Sequence, residues 1–134
     1  MKCFRSVPPL VAFLMLASTA TAQTQSRKVP SFSKDVFPVI KTYCLPCHLA
    51  ENENPSQLAL DNYETLVKGG EHGSPVLAGK PKESNLYLKL LQDPPFGKQM
   101  PRSRKKMTEQ EIKAIYDWIE AGAKKDSSEV KPGK

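Results

Sequence analysis

Cys44-Leu45-Pro46-Cys47-His48 is the stretch that decides the reading of this chain. C-x-x-C-H is the attachment pattern of a c-type haem. Cys44 and Cys47 can each form a thioether to a haem vinyl group, and His48, directly after the second cysteine, is held beneath the iron as an axial ligand. The implied cofactor is one covalent haem c with its iron. The next question is which side chain meets the iron from the opposite face.

Two other readings compete for the pattern. A C-x-x-C with an internal proline also occurs in thioredoxin-like redox enzymes, but that setting is βαβ, and the sequence shows no convincing parallel strand. A zinc site needs four ligands. Once Cys3 is removed with the N-terminal segment, the chain offers Cys44, Cys47, His48 and His72, at a spacing that fits no zinc module.

Upstream, Met1-Lys2-Cys3-Phe4-Arg5 is short and basic, Leu10 to Ala17 is apolar, and Ala20-Thr21-Ala22 is an A-x-A cleavage site. This is the layout of a secretory signal peptide, and its apolar run is too short to span a bilayer comfortably. The expectation is a periplasmic or otherwise exported protein, with no membrane span after signal cleavage. Cutting after Ala22 leaves 112 of the 134 residues, enough for one small domain. Loss of Lys2 and Arg5 leaves 18 basic against 14 acidic residues. That mild positive balance suits an acidic protein patch and is too scattered to argue for nucleic acid.

The expected organisation is a signal peptide at 1–22, a flexible lead-in at 23–31, a folded domain at 32–124 and a disordered tail at 125–134. Ser33 is a possible N-cap for a first helix carrying Val36, Phe37, Ile40 and Tyr43 at helical spacing. Pro38 is best tolerated in a first turn, so the regular helix should start late. Asp61 could cap a short helix ended by Gly69-Gly70. Ser84 could cap another, stopped by Pro94-Pro95. Thr108-Glu109-Gln110-Glu111 is a capping box opening a helix with Ile112, Ile115, Tyr116 and Ile119 on one stripe. Met107, just before that box, suits a hydrophobic staple.

The sixth ligand must come from Met100, Met107, His72 or a lysine. Met100 lies in Pro94-Pro95-Phe96-Gly97-Lys98-Gln99-Met100-Pro101, where prolines stiffen the loop and Gly97 lets it turn. A stiff loop holds a weak thioether ligand with little entropy left to lose, so Met100 is the favoured ligand. Methionines also fill core gaps, which is its alternative role. His72 lies in the glycine-rich segment Gly69-Gly70-Glu71-His72-Gly73 and would give a lower potential as a second histidine ligand.

Taken in order, Cys44, Cys47, His48 and Met100 resemble the pattern of class I c-type cytochromes. Phe32 to Ile40, Leu58 to Gly70, Gly79-Lys80-Pro81 with Ser84, Met100-Pro101, and Trp118 through Ala123 resemble more narrowly the planctomycete-type, or c-type cytochrome-like, domain over roughly Phe32 to Lys124. The resemblance implies an all-α fold of three to five helices around one haem, with the C-terminal helix crossing the N-terminal one near Phe37, Tyr116 and Trp118. It implies single-electron transfer between redox partner proteins by a monomer that is not an enzyme. Lys98, Arg102, Arg104, Lys105 and Lys106 crowd around Met100 and are expected to rim a docking face for an acidic partner. Two alternatives stay open: a five-coordinate haem protein that binds or senses a ligand, and an electron-transfer module of a dehydrogenase complex.

Overall fold

A computed structural model describes residues 28–102 and 105–126. The expected signal peptide, most of the expected lead-in, Ser103, Arg104 and the expected tail from residue 127 onward lie outside the described residues. Those described form helices and connecting loops without a strand; Gly70 and Gly73 make one isolated bridge.

The N-terminal unit is a π-helical turn at Phe32–Val36 running straight into helix α1, Phe37–Tyr43. Pro38 sits in the first turn of α1 and has no N–H to give back to the π-helical turn before it; the regular α-helix starts only at Phe37, late as the sequence predicts. The N-cap is Ser31, not Ser33: its hydroxyl accepts the Lys34 N–H while its own N–H donates to Asp35. A second carboxylate reinforces this end. Asp126 accepts the Ser31 hydroxyl and the N–H groups of Phe32 and Ser33. The folded body therefore reaches at least Asp126.

Helix α2, Tyr63–Lys68, is capped by Asn62 and Thr65 rather than Asp61. Asp61 instead accepts the Ala50 N–H at 2.8 Å. Gly69, at φ +77°, ends α2 as expected. A 3-10 turn at Pro81–Glu83 leads into helix α3, Asn85–Leu88. Ser84 stands at the N-cap position of α3 without capping it. Fully buried, its hydroxyl accepts the Leu77 N–H and donates to the Lys80 carbonyl, closing the loop before the turn.

Helix α4, Glu109–Glu120, begins with the expected capping box between Thr108 and Glu111. Ile115, Trp118 and Ile119 are buried against Val36, Ile40, Leu60 and Leu66. Met107 and Ile112 pack on the same core from the side, as a staple would. At the crossing of the N-terminal unit and α4, Phe32 lies 5.4 Å from the Trp118 ring and also contacts Phe37 and Tyr63. Tyr116 is not part of that crossing; it packs edge-on to Tyr87 of α3. The Trp118 indole N–H donates to the Lys124 carbonyl and the Tyr63 hydroxyl to that of Ala123, which binds the chain's last described turn to the core.

Candidate haem site

The pentapeptide is built on the end of α1. The Cys44 N–H closes the helix on Ile40 at 2.8 Å, and Cys44 is its C-cap. The chain then tightens: the N–H groups of Cys47 and His48 both donate to the Cys44 carbonyl, at 3.1 and 3.0 Å. Cys44 is half-buried against the core, Cys47 is exposed, and both are free thiols. Burial pushes the Cys44 thiol up to about 11, and the neighbouring Cys47 adds to it.

His48 is anchored through one ring nitrogen. Its Nδ1 lies 3.0 Å from the Leu58 carbonyl oxygen. A carbonyl can only accept, so Nδ1 carries a proton, and in the neutral ring Nε2 is the nitrogen with the free lone pair. This is the arrangement of a metal-ligating histidine, with tautomer and ring orientation fixed from behind. The Leu60 N–H donates to the His48 carbonyl at 2.8 Å, so the returning chain is held at two points. Two free thiols and an oriented imidazole on one tight turn fit a covalently attached haem. No group of three or more His, Cys, Asp or Glu side chains that could hold a metal ion occurs among the described residues.

Tyr43, next to Cys44, donates its hydroxyl to the Glu111 carboxylate in the first turn of α4. The Lys105 ammonium lies over the Tyr43 ring, 5.0 Å from its centre. Burial, then Glu111, raises the Tyr43 phenol. The Thr108 N–H foremost holds Glu111 below its ordinary value. The capping box thus also ties α4 to the residue before the first cysteine.

Met100 is half-buried in its loop. Its N–H donates to the Lys89 carbonyl at 2.7 Å, just past α3. The Lys89 side chain reaches back over the same loop: its ammonium donates to the Phe96 carbonyl at 2.6 Å and sits 4.5 Å above the Phe96 ring. The Gln99 amide donates to the Leu90 carbonyl. Lys89 therefore organises the Met100 loop, a role sequence reasoning missed because one lysine among sixteen carries no local signal. Lys98, Arg102, Lys105 and Lys106 are exposed beside this loop, and so is the Phe96 ring.

The glycine-rich segment lies elsewhere. The Glu71 N–H donates to Ser56 at 2.8 Å, so the turn carrying the exposed His72 is fastened to the same 54–58 loop that anchors His48.

Residues 44–103 match the family model described as planctomycete cytochrome C, from the first cysteine through the Met100 loop. The resemblance read from the sequence holds over this segment, and the match implies covalently bound haem with iron and haem-based electron transfer. No curated protein matches the chain. Among solved structures, hydrazine synthase from Kuenenia stuttgartiensis is similar at 23% identity and a TM-score of 0.48. The similarity covers 72% of this chain and 16% of that one.

Proposed function

We propose that this chain is an exported, periplasmic monohaem c-type cytochrome that carries single electrons between redox partner proteins. The observation that carries the reading is the Cys44–His48 turn with His48 Nδ1 bonded to the Leu58 carbonyl. Cys44 and Cys47 would hold the haem covalently, and His48 Nε2 would ligate the iron. Bound there, haem supplies reversible one-electron chemistry between ferrous and ferric iron. Met100 would be the second axial ligand, from a loop secured to Lys89 and Leu90. His72 would be poorly placed for that role, because its turn is fastened to the loop behind His48.

With His48 and Met100 both holding the iron, the reading would need no substrate site, and the chain would work as a carrier and not an enzyme. Among the described residues no helix is long and apolar enough to cross a membrane. Export rests on the Lys2-to-Ala22 pattern. The chain would work as a monomer. Its exposed Lys98, Arg102 and Lys106, with Phe96 beside them, would meet an acidic partner.

The protein should be exported with a haem-maturation system and denatured. The mass of one haem should stay on the polypeptide. Ferric protein should show the weak far-red band of thioether ligation, lost in Met100→Ala with a fall in potential. Reduced wild-type protein should not bind carbon monoxide. A denatured chain without haem mass would refute the cytochrome reading, and ready carbon monoxide binding would indicate a five-coordinate ligand binder.

A further inference from the structure

We infer that Asn54 is a positioning residue for the iron ligand His48: its side-chain amide clamps the backbone of Leu58, whose carbonyl holds the imidazole. The inference rests on the haem reading above.

The Asn54 Oδ1 accepts the Leu58 N–H at 3.1 Å and the Ser56 hydroxyl at 2.8 Å. A backbone N–H can only donate, so the amide is oriented without ambiguity: Oδ1 faces the Leu58 nitrogen. Nδ2 then falls toward carbonyls, 3.4 Å from Leu58 and 3.5 Å from Asn52. One side chain thus contacts both polar groups of Leu58. The Leu58 oxygen faces His48 Nδ1 at 3.0 Å.

No helix or strand runs through residues 49–61, and Gln57 adopts φ +50°. The loop's other ties are the Asn52 N–H on the Leu49 carbonyl, the Gln57 N–H on the Asn54 carbonyl, the Leu60 N–H on the His48 carbonyl and the Glu71 N–H on the Ser56 carbonyl, with the Ala50 N–H on the Asp61 carboxylate and the Asn52 amide on the Pro46 carbonyl. None of them engages the N–H or the carbonyl of Leu58 itself. Asn54 is the side chain that holds both groups, one in each of the two peptides that meet at Leu58, and so sets how well the Leu58 oxygen meets Nδ1–H.

The partner of the remote ring nitrogen fixes ligand orientation and raises ligand basicity. A well-aligned Nδ1–H···O bond makes the imidazole a stronger donor and favours ferric iron. Freeing the Leu58 peptide weakens that bond, so the potential rises.

Three haem-loaded proteins test this: wild type, Asn54→Ala and Asn54→Asp. Two quantities are read, the reduction potential and solvent exchange of the His48 Nδ1 proton by NMR in the diamagnetic reduced state. In Asn54→Ala, exchange should quicken on the order of tenfold, the size of one lost net hydrogen bond, and the potential should rise. Asn54→Asp keeps an acceptor for Leu58 N–H and Ser56 but loses the Nδ2 contact with the Leu58 oxygen, so its exchange should fall between wild type and Asn54→Ala; its added charge makes its potential uninformative. If Asn54→Ala does not mature, Asn54→Ser replaces it with the same expected outcome, because its shorter hydroxyl cannot reach both Leu58 groups. A loaded Asn54→Ala or Asn54→Ser with wild-type exchange and potential overturns the role of Asn54 and leaves the haem reading intact. So does a fall in its potential, or equally fast exchange in Asn54→Asp. A wild-type chain that takes up no haem overturns the reading on which the inference rests.

Discussion

Gly70→Ala should disturb the site through the backbone, from the side away from α1. Gly70 is not among the glycines with positive φ, so alanine meets no dihedral penalty there; the obstacle is space. A Cβ at Gly70 would lie 2.2 Å from the Ser56 carbonyl oxygen, 2.8 Å from Leu58 N and 2.9 Å from Gln57 C. All three are backbone atoms, so no side chain can swing away. Restoring ordinary contact at 3.4 Å requires the Ser56 oxygen and the Gly70 backbone to part by about 1.2 Å. The Leu58 oxygen is two residues along, and its 3.0 Å bond to His48 cannot survive a shift of that size. Overpacking of this kind typically costs about 1–3 kcal/mol. At about 4–8 °C per kcal/mol for a domain of this size, Tm should fall by roughly 5–20 °C. Gly79→Ala is the control: Gly79 has φ +77° but nothing within 4 Å of its Cβ position. It should lose some stability from the left-handed conformation alone, about 1–2 kcal/mol, and keep its potential. The measurements are thermal melts and potentiometric titrations on haem-loaded proteins. The reasoning is refuted if Gly70→Ala keeps the wild-type potential, or if Gly79→Ala shifts it as much.

Lys89→Met removes the ammonium over Phe96 and should loosen the Met100 loop; the far-red thioether band should vanish at lower temperature than in wild type, as followed by variable-temperature absorption. Asp126 is held below its ordinary value of 3.8, first by the Ser33 donors and then by those of Ser31 and Phe32. A depressed carboxylate adds stability that is full above the unfolded value and lost as pH falls through the folded one. The Tm gap between wild type and Asp126→Asn should therefore be open at pH 7 and narrow below about pH 4, and a gap independent of pH would show that the carboxylate charge is irrelevant. Reversing Lys98, Arg102 and Lys106 to glutamate should slow reaction with an acidic redox partner and flatten its salt dependence, since such attraction is screened within roughly 8 Å at physiological salt; stopped-flow rates across an ionic-strength series check this. Lys105 is left out of that variant because it lies over Tyr43, beside Cys44.

Features of one segment were legible in the sequence; features joining two were not. Thr108 and Glu111 satisfy each other within one turn, so their pattern is visible without a fold. Pro38 likewise sets a late helix start by its own covalent structure. Asp61 and Asn62 are both good caps, and only the approach of Ala50, which takes the Asp61 carboxylate, leaves Asn62 to begin α2. Ser33 lost its capping role to Ser31 once Asp126 arrived from more than ninety residues away. Tyr116 and Trp118 differ by two positions, some 200° around a helix, so one meets α3 while the other meets Phe32. Asn54 and Lys89 could have been found only as polar residues in loops flanking the proposed ligands, a signal shared by many neighbours.

The direction of the helix beside the two cysteines separates the chemistries that share a C-x-x-C. A thiol redox site needs a reactive thiolate, and a helix N-terminus lowers a thiol's pKa by placing positive dipole charge beside it. Here Cys44 is at the opposite end, the C-cap of α1, where the dipole charge is negative. Burial acts in the same sense and takes its thiol to about 11. At neutral pH Cys44 is therefore almost wholly a neutral thiol, poorly suited to repeated disulfide exchange. A thioether linkage makes the opposite demand. Once formed it carries no charge and does not titrate, so a half-buried position against the core costs it nothing in ionisation. The same helix end delivers His48, whose Nδ1 proton is committed to Leu58 and whose Nε2 is left to bind. The cysteine that is badly placed for thiol exchange is well placed as a permanent tether, and the residue four positions on is prepared as a ligand.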